Sequence, residues 1–259
     1  MNKRFDIGYI CQFSMDDFKT KYAGSLLGFV WAFIQPIITV VIYWFIFQIG
    51  FKNEPIGGVP FIVWLVSGIV PWFFISDAIV NATSSLVEYS YLVKKVVFNI
   101  DILPLAKIVS VLFIQIILLV FASVLFIAYG VDISVYWLQI PYYIIYMMIL
   151  CTGITYLTAS LYVFFKDITQ IVSIIIQVVF WLTPIVWQMK IMPENIQVLL
   201  RFNPVFYAVN GYRDALIHKK WFFEYSIGDN IYYWVIALIL LLIGTYVFRK
   251  LKPHFADVL

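Results

Sequence analysis

Residues 108–131 read IVSVLFIQIILLVFASVLFIAYGV, 24 consecutive positions without an Asp, Glu, Lys or Arg. As a helix, such a stretch exceeds the roughly 30 Å hydrocarbon core of a bilayer, which about 20 apolar residues cross. Outward from it, five more uncharged runs cover 22–51, 55–76, 133–165, 168–189 and 230–248, with 30, 22, 33, 22 and 19 residues. None alternates in the segments of about ten that a membrane β-barrel requires. The pattern predicts an all-α integral membrane protein with six transmembrane helices, at about 30–49, 61–80, 105–128, 142–163, 169–187 and 231–248.

Composition agrees. Of 259 residues, 64% are hydrophobic and 12% charged, against about 45–50% and 25% in soluble domains. So few charges would not cover so much apolar surface in water. Two cysteines, Cys11 and Cys151, and a thinly spread net charge of +3 exclude a disulfide scaffold and a nucleic-acid partner.

Six spans place both termini on one side. With both inside, the inner face carries eleven basic residues (Lys3, Arg4, Lys19, Lys21, Lys94, Lys95, Lys107, Lys166, Arg249, Lys250 and Lys252) and the outer face six (Lys52, Lys190, Arg201, Arg213, Lys219 and Lys220). That bias predicts cytoplasmic termini. Asp16, Asp17, Lys19 and Lys21 interrupt the chain before the first apolar run, and no clear small-x-small site follows it, so no cleaved signal peptide is expected.

Between the spans, three segments carry information. Residues 5–21 have a partial apolar face, Phe5, Tyr9, Ile10 and Phe13, which suits a helix lying at the interface or packed on a neighbour. Gly24 and Gly28 form a GxxxG pair for close helix approach or a chance spacing, and Pro36 should bend or widen the first span. Gln35 either caps the freed backbone group or faces a polar passage. The inner segment 81–104 mixes Glu88, Lys94, Lys95 and Asp101 with Leu86, Val87, Val96 and Phe98, which fits either a docking surface or a basic loop drawn to anionic lipid. The 43-residue outer connection from Gln188 to Asn230 is too long for a structureless loop. There Asn203-Pro204 can cap a helix through Leu216, and Met192-Pro193-Glu194 can start another through Phe202. These two short re-entrant or interfacial helices would act as a gate or as a rim anchor.

No G-x-x-x-x-G-K-[ST], H-E-x-x-H, C-x-x-C or G-x-S-x-G occurs. His218 and His254 fall on opposite sides of a span and share no metal site. Asp77, near the inner end of the second span, either lines a route or reaches the interface. No catalytic, cofactor-binding or metal residue is expected.

The stretch Asp17–Pro36, DFKTKYAGSLLGFVWAFIQP, resembles the approach to the first span in ABC-2-type polysaccharide export permeases. The resemblance runs through LVKKVVFNIDILPL at 92–105, Phe165-Lys166-Asp167, Trp181-Leu182-Thr183-Pro184-Ile185, Asn203-Pro204, Tyr212-Arg213-Asp214-Ala215-Leu216 and Lys252-Pro253-His254-Phe255-Ala256-Asp257. Asn99 departs from the arginine that many members carry there. The resemblance implies a domain over 29–259 preceded by an N-terminal helix and approach over 1–28, in a bacterial inner membrane. It implies a second copy of the chain and two ATP-binding subunits, which would hold ATP and Mg, moving a lipid-linked glycan outward. Within this frame, 84–100 with Glu88, Lys94 and Lys95 is the expected ATPase contact. Segment 188–230, with Asn203, Pro204, Tyr212 and Arg213, is the expected outer gate. Tyr43, Trp44, Tyr142, Tyr143, Trp181 and Trp187 are candidates for a glycan path, and equally for interface anchors with membrane lipids. The rivals are an exporter of a lipid or hydrophobic drug and a non-transport membrane assembly protein.

Overall fold

The computed structural model of the chain describes residues 7–22, 27–52, 54–94 and 99–259. Among them every regular element is helical, apart from one bridge between Ile56 and Val59. Helix α1 (Ile7–Tyr22) precedes α2 (Trp31–Trp44), which continues as a π-helix over Phe45–Gly50. Then come α3 (Phe61–Thr83) and two single turns, α4 (Ser85–Glu88) and α5 (Ser90–Val93). Long helices α6 (Ile102–Ala128) and α7 (Ile140–Phe164) lead to α8 (Ile168–Leu182). The connection after α8 holds α9 (Glu194–Arg201) and α10 (Pro204–Arg213), the latter extended by a π-turn over Asp214–His218. Helix α11 (Ile227–Leu251) and the short α12 (Phe255–Val258) close the chain.

Five stretches are long and apolar enough to cross a membrane: Trp31–Gly50, Phe61–Thr83, Ile102–Ala128, Val135–Phe164 and Ile227–Val258. The protein is therefore a multi-pass membrane protein. Helix α8 is shorter than the sequence pattern predicts, with 15 residues ending at Leu182 rather than near 187. Pro184 explains the stop: its ring disfavours helical geometry at the preceding residue, and Thr183 is extended at φ −97°, ψ 133°. At about 22 Å, α8 falls short of the hydrocarbon core.

Pro36 sits inside an unbroken α2, and the widening comes nine residues later, at Phe45. Gly24 lies outside the described residues. Gly28 has φ +53° with open space where a Cβ would stand, so it serves a left-handed turn rather than a tight helix crossing.

Helix α3 is buried almost all round, as expected of a helix apolar on every face. It contacts α2, α6, α7, α8 and α10. The most extensive pairing joins α7 to α11. It depends on two glycines: a Cβ on Gly244 would stand 2.1 Å from the Gly153 carbonyl oxygen, and one on Gly153 would stand 2.5 Å from the Leu241 nitrogen. Small residues here let two backbones touch, a source of helix association that survives in lipid, where apolar burial drives little. At one end of the bundle a separate apolar cluster gathers Leu86, Val93, Tyr156, Phe248 and Phe255, with Phe13 packed on it. Both terminal helices and the α4–α5 turns therefore share that end.

Replacing Gly244 by Leu forces this contact apart and should lower the detergent-solubilised melting temperature by the equivalent of about 2–3 kcal/mol or more. Gly228→Ala, whose Cβ meets nothing closer than the Ser226 hydroxyl at 3.6 Å, should leave it unchanged. Thermal unfolding of both variants checks this.

Candidate functional site

The polar side chains collect in three places. At the end shared by the termini, the Lys107 ammonium is buried on α6, 2.6 Å from Asp17 of α1 and 2.8 Å from Glu88 of α4. The Tyr89 hydroxyl donates to the same Asp17 carboxylate, and the Tyr89 ring lies under Lys107 at 5.0 Å. Burial, and then this bond to a carboxylate, hold the Tyr89 phenol well above its ordinary range. Lys21 extends the node, donating to Asn81 at 3.2 Å. Lys252 pairs with Asp101, whose carbonyl accepts from Tyr156 at 3.0 Å. Glu88 thus ties the α4 turn to α6 and α1, while its side chain stays half exposed. Lys94 is exposed, and Lys95 lies outside the described residues.

The second place is a groove of about 800 Å³ between α2, α3 and α8. Three pairs at i and i+4 line it: Gln35 and Thr39 on α2, Asp77 and Asn81 on α3, Ser173 and Gln177 on α8. That spacing puts each pair on one helix face. The short side chains turn to their own backbone, Thr39 to the Gln35 carbonyl at 2.9 Å and Ser173 to the Thr169 carbonyl at 2.8 Å. Gln35 and Gln177 carry no side-chain hydrogen bond among the described residues. Tyr43 and Trp181 belong to this groove, with Tyr43 stacked on Phe180 at 5.8 Å. Sequence reasoning singled out Gln35 and Asp77 but missed Thr39, Asn81, Ser173 and Gln177. Their signal was a polar residue recurring at the fourth position, within an uncharged run for Thr39, Ser173 and Gln177 and just past one for Asn81.

The third place is the opposite end, where tyrosines form a lattice. Tyr142 and Tyr207 share a hydrogen bond of 2.7 Å, and the Trp234 indole donates to Tyr142 at 2.6 Å. Tyr146 donates to the Pro204 carbonyl at 2.9 Å, and Tyr212 accepts from Gln115 at 3.0 Å. Tyr143 is fully buried, and its ring fills the space left by Gly211, where a Cβ would come within 2.1 Å. Of the aromatic candidates, therefore, Tyr142 and Tyr143 pack inside the chain. Trp187 donates to the Trp181 carbonyl at 3.1 Å, and Trp44 is half-buried on α2.

Asn203 caps α10 as the sequence predicts, accepting from the Val205 amide at 3.0 Å with Pro204 at the first helical position. Its amide also donates to Thr183 at 2.7 Å. Arg213 is buried. Its guanidinium lies 3.7 Å from the centre of the Trp64 ring and donates to the carbonyls of Pro184 at 2.6 Å and Ile185 at 2.9 Å. Gly68 makes room, since a Cβ there would stand 2.6 Å from a guanidinium nitrogen. Burial lowers the Arg213 pKa to about 9, opposed by the neighbouring Asp214, so it keeps its charge at neutral pH. Asp214 accepts from the Tyr225 hydroxyl and faces His218 at 2.7 Å.

The chain belongs to the ABC-2 type transporter family, whose pattern matches residues 10–217. It is 27% identical over 262 residues to an O-antigen export system permease protein RfbA of Klebsiella pneumoniae, an alignment covering 99% of this chain and 98% of that protein. A second K. pneumoniae protein of that name is 27% identical over 266 residues, covering 100% of this chain and 99% of the relative. The protein of that name from Myxococcus xanthus is 24% identical over 255 residues, covering 96% and 95%.

Two substitutions test the pinned groups. Arg213→Met strands two carbonyls and removes the contact with Trp64, and should cost about 2–4 kcal/mol of stability, read as a lower melting temperature in detergent. Lys107→Met leaves Asp17 buried without its cation and should cost about 3–5 kcal/mol. The double variant Lys107→Met, Asp17→Asn should recover part of that loss, measured by the same unfolding assay.

Proposed function

We propose that this chain is the membrane subunit of an ATP-driven exporter that moves lipid-linked O-antigen or a related cell-surface polysaccharide outward across a bacterial inner membrane. The observation that carries the reading is the groove between α2, α3 and α8. It sets three pairs of polar side chains into a largely apolar lining and is framed by exposed apolar residues of α2 and α8 such as Val41, Ile42, Ile174 and Val178. Lipid does not satisfy such a surface, whereas a second copy facing it does, and a hydroxyl-rich polymer between the two finds hydrogen-bonding walls. The relatives that align end to end carry the O-antigen export name. In this arrangement α8 is the short fifth of six spans, and both termini face the cytoplasm.

The engine is external, since the sequence has no phosphate-cradling P-loop. Two separate subunits would bind ATP and Mg and press on 84–100, where Lys94 is exposed and Glu88 connects inward through Lys107 to α1. At the far end α9 is the lightly packed part, with only Leu200 buried, while α10 is held by Asn203 and Arg213. Tyr43 and Trp181 are the aromatic candidates that face the polymer.

Reconstitution of the chain with its ATPase partner in proteoliposomes tests the reading. Outward movement of lipid-linked glycan should require ATP and both proteins. The pair Thr39→Val and Gln177→Leu should slow it roughly tenfold, about 1.4 kcal/mol on the barrier, with the complex still assembled on a sizing column. ATP-dependent export without a second protein would overturn the subunit assignment, and undiminished export by the double variant would overturn the groove as the path.

A further inference from the structure

A cavity of about 890 Å³ lies at the end away from the termini, between the Ile56–Val59 turn, the start of α3, α9, α10 and the start of α11. Its size falls in the range of built small-molecule sites, roughly 300–1,000 Å³. It is separate from the α2–α3–α8 groove, with which it shares no lining residue.

Two kinds of surface meet in it. The first is aromatic: Trp64, Phe202, Tyr207, Tyr225, Tyr232 and Tyr233 all line the wall. Their hydroxyls are already committed. Tyr232 donates to the Phe202 carbonyl at 3.0 Å and Tyr233 to the Arg201 carbonyl at 2.6 Å, while Tyr225 donates to Asp214. What these rings offer a ligand is therefore carbon surface in fixed orientation. The second kind is uncommitted polarity. Gln188, Lys190, Arg201 and Asp229 line the cavity with no side-chain hydrogen bond or ion pair among the described residues. The buried Nε of Arg213, on the same wall, has no partner either.

An apolar ligand would leave those polar groups unpaired, and an anion alone would gain nothing from Asp229 or the rings. A sugar satisfies both surfaces. Its C–H face stacks on an aromatic ring, while adjacent hydroxyls match the forked donors and acceptors of an amide, a carboxylate and a guanidinium. We infer that this cavity is a saccharide-binding site, which takes a short stretch of the glycan in extended form on the outer side of the membrane. The inference deepens the export reading and rests on it. The cavity then holds sugar units that have left the groove, under a roof formed by α9.

The probe is a lipid-free oligosaccharide released by mild acid from the surface polysaccharide of the source bacterium. It is titrated against the complex in nanodiscs and followed by saturation-transfer NMR and calorimetry. Binding in the millimolar range is expected, weak enough for a moving polymer to leave. Val198→Trp, which fills the cavity from α9, and Asp229→Asn, which removes an acceptor without bulk, should each weaken binding about tenfold or more. Leu242→Trp, on the exposed face of α11, should not. No binding by the unsubstituted complex, or equal binding by all variants, overturns the site. Equal displacement by glycerophosphoethanolamine also overturns it, since the cavity would then hold lipid headgroups. ATP-driven export by the same nanodisc-grade protein in liposomes is scored separately. Export without oligosaccharide binding removes the cavity and leaves the exporter standing, whereas loss of export removes the functional reading itself.

Discussion

The guanidinium of Arg213 holds together the half of the molecule that its sequence leaves weakest. Pro184 ends α8 and leaves the carbonyls beyond it without helical partners, in a buried stretch where unsatisfied backbone is costly. Arg213 reaches from the end of α10 to two of those carbonyls while lying flat on Trp64 of α3. One side chain thereby joins the broken end of α8, the central helix and the outer connection. Arginine suits the task because its planar fork holds its donors in a fixed geometry toward both carbonyls while its flat face stacks on an indole, a geometry that a compact lysine ammonium does not reproduce. Gly68 is the complementary feature, a missing side chain on α3 where the guanidinium needs the volume.

The same requirement explains what the sequence disclosed. Uncharged runs mark spanning helices because charge is costly in hydrocarbon, and all six expected segments appear as helices, five of them of spanning length. The Asn203-Pro204 cap was legible because it is local. Arg213 was not, since a basic residue in an outer connection reads as a solvated charge until the fold brings Gly68, Trp64 and the end of α8 to it. The close crossing of Gly153 and Gly244 was hidden likewise, because the two residues lie on helices far apart in the chain, while the local Gly24–Gly28 spacing attracted the same interpretation. Aromatic residues were legible in number but not in role. Tyr43 and Tyr143 look alike in sequence, yet one lines a groove and the other fills the space beside Gly211.

At the opposite end from Arg213, Lys107 performs a comparable function in ionic form. Its two carboxylate partners come from α1 and α4, which also meet α6 through apolar contacts, Phe18 edge-on to Phe113 and Leu86 in one cluster with Leu103. A buried pair of this kind contributes little net stability over an apolar substitute, but a stranded partner is expensive, so the contact specifies position more than it strengthens the fold. The consequence is mechanical. In the proposed exporter, a force applied to the α4–α5 turns would reach α1 and α6 together through Lys107.

The groove between α2, α3 and α8 bears on the proposed assembly. In a single chain the groove's polar pairs on α2 and α8 stand between exposed apolar residues, with Asp77 in the lining and Lys21 beside Asn81. A polar stripe flanked by apolar ridges cannot face lipid without leaving Gln35 and Gln177 unpaired. The α3 face behind it, with Phe73, Ser76, Asp77, Val80 and Asn81, is the part of that helix left unburied within the chain. In the proposed pairing of two copies, a two-fold axis along the groove would cover this surface, since each copy would present the same face and the ridges of one would meet the ridges of the other. The polar pairs would then face each other across a space that excludes lipid. A passage of this kind would belong to neither copy alone, so the proposed export reading puts the barrier to polymer movement at the contact between chains rather than within either of them.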